Sequence, residues 1–209
     1  MSHNDTVTRI LDAAEQLFAE KGFAETSLRS ITAKAGVNLA AVNYHFGSKK
    51  SLIQAVFVRF LGPFYKLVEA SLDAHEKQNP DVILSPEDIL KFVARGMSSV
   101  TDGNRGRLAI FMRLLGLAYN QGQGHLRKFL QTEYPSLYVR VMDLIAKATP
   151  ELNPVERYWR FHFMLGAAAF TLSSMEHLRA IVEYEFETKC TEEEVVGYLL
   201  PFLAAGIRA

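Results

Sequence analysis

The chain has 209 residues, 49% of them hydrophobic and 22% charged, a balance that suits a globular core and excludes a disordered tail. Its length allows one large domain or a small domain joined to a medium one, and its single cysteine, Cys190, excludes an internal disulfide framework and points to a cytoplasmic home. The formal net charge is +0, so any attraction for an anion has to come from a local patch.

The chain opens on polar residues, Met1-Ser2-His3-Asn4-Asp5, followed by periodic rather than continuous apolar positions, so no signal peptide is expected. Ile10, Leu11, Ala14, Leu17 and Phe18 recur at helical spacing, and Gly22 supplies a C-cap. Thr26 or Ser27 can cap a second helix that carries Leu28, Ile31 and Ala35 inward and stops at Gly36. Asn38 caps a short third helix through Phe46, Gly47 ends it, and Ser48 caps a fourth, which Gly62-Pro63 would bend.

Beyond it, Ser85-Pro86-Glu87-Asp88 reads as a helix start with a first-turn proline and early acids. A further helix is predicted from Arg105 to Tyr119, and another from Gly124 that Pro135 should break or kink. Asn153-Pro154-Val155-Glu156 starts a long apolar stretch from Trp159 to Leu178, and Thr191-Glu192-Glu193-Glu194 is a capping box. Loops are expected at Lys77 to Leu84, Thr101 to Asn104 and Thr149 to Leu152. Strand signals are missing, so the fold class is all-α. The longest apolar run, Phe163 to Leu172, falls short of the roughly 20 residues a bilayer span needs, and no membrane partner is expected.

The informative stretch is Thr26 to Lys49, and from Thr26 to Lys50 the chain holds Arg29, Lys34, Lys49 and Lys50 and no acid. Two short helices around a Gly-Val-Asn turn make a helix-turn-helix. Gly36 permits the turn, Val37 plugs the space between the helices, and Ile31 and Val42 pack toward Phe18. The outward face of the second helix then carries Leu39, Ala40, Asn43 and Tyr44, as suits an element lying in the major groove. Asn43 can pair with an adenine edge and Arg29 with guanine, while Leu39 and Ala40 can touch thymine methyls or serve as spacers. Tyr44, His45, Lys49 and the helix N-terminus at Ser48 suit phosphates. Asn38, at the mouth of the same helix, joins this set of DNA-binding candidates.

The run Ser27-Leu28-Arg29-Ser30-Ile31-Thr32-Ala33-Lys34-Ala35-Gly36-Val37-Asn38, followed by Val42-Asn43-Tyr44-His45-Phe46-Gly47-Ser48-Lys49-Lys50-Ser51-Leu52, resembles the DNA-binding signature of the TetR family. So does the first helix, Ile10 to Phe18 with Gly22-Phe23 after it. The resemblance implies a DNA-binding domain over residues 1–47 and a larger helical domain over 48–209 that binds a ligand and dimerises through its last two long helices. The partners it implies are a palindromic double-stranded DNA operator, a second copy of the chain and a hydrophobic small-molecule effector. Segments around Ile110 to Tyr119, Gln123 to Lys128 and His162 to Phe170 look like the fatty-acid-responsive, PsrA-type subgroup, which implies a long-chain fatty acid or its acyl-CoA as effector.

Phe60, Phe64, Phe92, Phe111, Met112, Leu115, Met164 and Phe170 could line an acyl-chain cavity or could be plain core. Arg113, set among apolar neighbours, could meet a ligand carboxylate or phosphate, pair with Glu176 or Asp143, or reach solvent. His162 reads more naturally as an interior histidine than as a ligand contact. For the dimer, Gly166 and Ala169 offer a small-residue surface, and Val195, Leu199, Phe202 and Leu203 form an apolar stripe; packing within one chain is the alternative.

An enzyme is the rival class. The sequence holds no Gly-x-Ser-x-Gly, His-Glu-x-x-His or phosphate-binding glycine loop, and its six histidines lack metal-ligand spacing. No catalytic residue, metal or cofactor is therefore expected. A second rival is a partner-gated DNA-binding protein with a filled core.

Overall fold

The structure is a computed structural model that describes residues 3–101, 106–121 and 124–208. Among the described residues there are eleven helices and no strand. They are α1 His3–Glu25, α2 Leu28–Ala35, α3 Leu39–Phe46, α4 Lys49–Gln78, α5 Pro86–Thr101, α6 Gly106–Asn120, α7 Gly124–Glu133, α8 Pro135–Ala148, α9 Pro154–Ser173, α10 Met175–Phe186 and α11 Glu192–Arg208. The loop expected at Thr101 to Asn104 lies outside the described residues except for Thr101, which ends α5.

Local chemistry sets most of these boundaries. Ser27 caps α2 by accepting from the Ser30 amide at 3.0 Å, while Ser30 Oγ accepts from the Ser27 amide at 3.2 Å. Asn38 Oδ1 accepts from the Ala41 amide at 2.8 Å and starts α3. Asn153 Oδ1 accepts from two amides at the start of α9, and Thr191 and Glu194 form the reciprocal pair that opens α11. Pro135 occupies the first turn of α8, where its missing N–H costs nothing.

Local expectations at Gly22 and along the Trp159 to Leu178 stretch change. The first helix does break at Gly22 (φ 81°, ψ 168°), but a further turn carries it to Glu25. Pro63, where a bend is expected, lies inside α4, which continues through it to Gln78. The apolar stretch expected to continue to Leu178 stops at Ser173, and Ser174 (φ −111°, ψ 11°) separates α9 from α10. Ser173 Oγ donates to the Phe170 carbonyl at 3.2 Å, a local bond of the kind that competes with helix continuation.

Two apolar clusters meet along α4. The first joins Ile10, Ala14 and Phe18 of α1, Ile31 of α2, Val42 of α3, Leu52 and Val56 of α4, and Phe111 and Leu114 of α6. The second joins Val68 and Leu72 of α4 to Ile89 of α5, Leu137 and Ile145 of α8, and Leu203 and Ile207 of α11. Among the described residues α4 is the one helix long and apolar enough to pass for a membrane span, but eight of its residues are buried against other helices of this chain. Gly96 lets α5 close on α4: a Cβ there would come within 2.3 Å of Val68 Cγ2 and 2.8 Å of Phe64 Cδ2. The beam α4 therefore belongs both to the small N-terminal unit and to the larger helical body.

Candidate nucleic-acid interface and apolar cavity

Helices α2 and α3 are eight residues each, too short to persist alone in water, so packing must hold them. Ile31 and Val42 are fully buried in the cluster that contains Phe18, and Val37 packs against its edge. Gly36 adopts the left-handed conformation (φ 62°, ψ 39°), and a Cβ there would sit 2.7 Å from Arg9 Nη2. That guanidinium donates to the carbonyls of Ala35 and Gly36, the latter at 2.9 Å, and so pins the turn to α1. With Val42 turned inward, α3 presents Leu39, Ala40, Asn43 and Tyr44 to solvent, and Tyr44 is 79% exposed.

Of the remaining candidates, Arg29, Asn38 and Ser48 are exposed, while His45 is half-buried with its ring edge-on to Tyr44. Asn38 and Ser48 also spend their side-chain oxygens on capping α3 and α4. Lys49 is half-buried, and its Nζ donates to the Ala24 carbonyl at 3.1 Å, so in this state it ties α4 to the end of α1. Lys34 and Lys50, counted in the basic patch but not among the candidate contacts, are exposed.

An ionic cluster around the buried Glu15 joins this unit to the helical body. Glu15 of α1, with its side chain 5% exposed, lies 2.9 Å from Arg59 of α4 and 3.4 Å from Arg107 of α6. Arg59 also meets Asp12 at 2.6 Å. Burial pushes the Glu15 carboxyl above the ordinary value, although both arginines pull it down. The Arg107 guanidinium carbon stands 4.9 Å from the centre of the Phe60 ring, whose centroid is 5.2 Å from that of Phe111. Farther along, the Phe23 amide donates to Gln121 Oε1 at 3.0 Å. None of these pairs is legible in the sequence, because the partners are 44, 92 and 98 residues apart.

Phe111 is also a wall of a large apolar cavity of about 790 Å³ between α4, α5, α6, α7, α8, α9 and α11. Its volume falls within the range of small-molecule sites, about 300–1,000 Å³. Phe64, Phe111, Met112, Leu115 and Met164 line it. Other candidates are placed differently. Phe60 is 1% exposed in the core behind the cavity, and Phe92 packs in the second cluster with its ring edge-on to His75. Phe170 is 63% exposed. Arg113 is exposed and does not line the cavity, which among the described residues is walled without Arg, Lys, Asp or Glu. A charge on an apolar helix is cheapest in water, and one turn of α6 is enough to reach it. His162, Tyr65, Tyr119, Tyr134, Tyr158 and Gln131 supply polarity to the walls. Burial pushes the Tyr65 hydroxyl up to about 12, with Tyr134 and Glu69 adding to the effect, so it stays a protonated donor.

The proposed dimer residues split between two faces. Gly166 and Phe202 are exposed, Ala169 and Val195 are half-buried, while Leu199 and Leu203 turn inward to the cavity wall. An outward stripe not foreseen in full runs along α9 through Val155, Trp159, Phe163, Gly166 and Phe170, beside Tyr198 and Phe202 of α11.

Comparison with known proteins agrees with both halves of this architecture. Residues 10–56 match the family model described as bacterial regulatory proteins, tetR family, and residues 92–206 match the tetracyclin repressor-like C-terminal domain. The HTH-type transcriptional repressor KstR2 of Rhodococcus jostii (strain RHA1) is 26% identical over 166 residues, 77% of this chain and 75% of that one. The HTH-type transcriptional regulator UidR of Escherichia coli (strain K12) is 39% identical over 54 residues, 26% of this chain and 28% of its own. A TetR-like transcriptional regulator from Rhodococcus sp. RHA1 shares the fold with a TM-score of 0.58 at 20% identity, covering 97% of this chain and 93% of that one.

Proposed function

This chain belongs to the TetR family of bacterial regulatory proteins, which are DNA-binding transcriptional regulators, and from that premise we propose that it is a homodimeric repressor released from its operator by a long-chain fatty acid or acyl-CoA. Residues 1–47 are the DNA-binding domain and 48–209 the effector and dimerisation domain, and the protein works in the cytoplasm on genes of fatty-acid metabolism. It is a regulator and not an enzyme. The observation that carries the effector reading is the apolar cavity of about 790 Å³, one wall of which is α4, the helix whose first residue is tied to α1 through Lys49. The fatty-acid assignment rests on the resemblance of the α6, α7 and α9 segments to the fatty-acid-responsive subgroup and on the apolar lining.

The free dimer holds its two α3 helices one major-groove repeat apart, about 34–36 Å. A ligand that wedges between α4 and α6 moves Phe111 and, through Phe60 and Arg107, the Glu15 cluster on α1. Because Arg59 links α4 to the same carboxylate, the DNA-binding unit turns with the two helices. A small rotation at this pivot spoils the spacing of two readers that must act together. The ligand must prefer the spread state, since equal affinity for both states shifts nothing.

The test is a fluorescence-anisotropy titration of the full-length protein on the DNA upstream of its own gene, with and without palmitoyl-CoA and palmitate. Specific binding released by either lipid is the expected result. Binding that ignores both keeps the regulator and removes the fatty-acid effector, and the absence of any specific binding removes this operator. Asn43→Ala should weaken specific more than non-specific DNA binding, because a base-edge contact discriminates between sequences and a phosphate contact does not.

A further inference from the structure

The cavity wall holds no Arg, Lys, Asp or Glu among the described residues, and of its polar groups His162 is the one whose hydrogen-bonding role the structure constrains most. Its Nδ1 lies 2.7 Å from the carbonyl oxygen of Tyr158, one turn back on α9. A carbonyl can only accept, so Nδ1 carries the proton. The ring is wedged by aromatics: its centroid is 4.0 Å from that of Tyr158, 5.4 Å from Phe161 and 6.0 Å from Tyr119. Turning the ring over would set Cδ2 against that carbonyl and lose the bond. In the neutral ring the distal nitrogen, Nε2, is therefore an acceptor. Tyr158 and Tyr119 line the same cavity and are 41% and 58% exposed, so this aromatic cluster stands where the cavity meets solvent.

An acceptor at the edge of an apolar cavity discriminates by chemistry. A thioester or ester carbonyl offers Nε2 only lone pairs and has no proton to share with it. A hydroxyl donates to it, and a carboxyl shares a proton with it. We propose that His162 reads the polar end of the effector, and that this effector is an apolar body whose head group brings a proton to share with Nε2, either a hydroxyl or a carboxyl. The inference rests on the reading of this cavity as the effector site and narrows it: a thioester gains nothing from His162.

Isothermal titration calorimetry of the full-length protein with 1-dodecanol, dodecanoic acid and methyl dodecanoate tests it, on wild type, His162→Phe and His162→Gln. Wild type should bind 1-dodecanol about three- to tenfold more tightly than the methyl ester, the worth of one net hydrogen bond. His162→Phe should still bind the ester, which shows the cavity intact, and should lose the preference. His162→Gln, whose amide oxygen can accept, should recover part of it. Dodecanoic acid separates the two sources of the O–H. If it weakens in His162→Phe as dodecanol does, both heads are read; if it ignores the variant, the head is a hydroxyl.

Equal affinity of wild type for alcohol and ester overturns the proposal, as does a preference that survives in His162→Phe. In those cases the cavity still holds alkyl ligands and only the role of His162 falls. If none of the three probes binds wild type, the effector cavity itself is refuted and this inference goes with it.

Discussion

Glu15 shows how one side chain can couple two parts of a protein at an electrostatic cost. Two arginines approach it within 3.4 Å, yet burial dominates and its carboxyl titrates above the ordinary value. A raised carboxyl favours the folded state below its unfolded pKa, and that advantage is lost as the pH rises through the folded value. Glu15→Gln keeps the shape and removes the titration. The stability of the variant relative to wild type should therefore improve between pH 5 and pH 8, as read from urea denaturation at the two pH values. A difference that stays flat would mean that the arginines fully compensate the burial. Arg113 shows the opposite outcome. Both are charged residues on apolar helices, and sequence cannot say which finds a buried partner, because the Glu15 partners arrive from 44 and 92 residues away.

At the scale of elements, short-range chemistry is decisive. The caps at Ser27, Asn38, Asn153 and Thr191 involve atoms two or three residues apart, and each was readable from residue type and spacing. Asn38→Ala should therefore cost about 1 kcal/mol of stability by thermal or urea denaturation. Because α3 has only eight residues, it should weaken operator binding as well. Stability lost with operator affinity unchanged would show that packing of Val42 alone holds the helix in place. The break at Ser174 was not readable. Serine is tolerated inside helices, and residue type alone does not tell that the Ser173 hydroxyl turns back on the Phe170 carbonyl beside the break.

For the whole molecule, the informative surface is the outward stripe on α9 and α11. Trp159, Phe163, Phe170, Tyr198 and Phe202 are each more than half exposed, and Trp159 and Phe163 stack at 6.0 Å. An exposed apolar patch of this kind marks a partner surface. Under the proposed homodimer, Phe202→Glu places two like charges across the two-fold axis. Sedimentation should then show monomer at micromolar concentration, and operator affinity should fall, because one half-site reader binds far less tightly than two. A variant that remains dimeric would move the interface off this stripe.

The sequence by itself determined the helical class, most helix starts, the turn at Gly36 and the outward face of α3. All of these follow from hydrogen bonds and periodicities that close within a few residues. Only the tertiary structure decided which apolar side chains are wall and which are core. Phe60 and Phe111 have the same composition and neighbouring positions in space, but only Phe111 faces the cavity. It also decided that Leu199 and Leu203 turn inward while Phe202, on the same helix, turns out. A helix with apolar residues on two sides has two surfaces to bury. Which one meets its own chain depends on the helices that happen to lie there, and no local pattern carries that information.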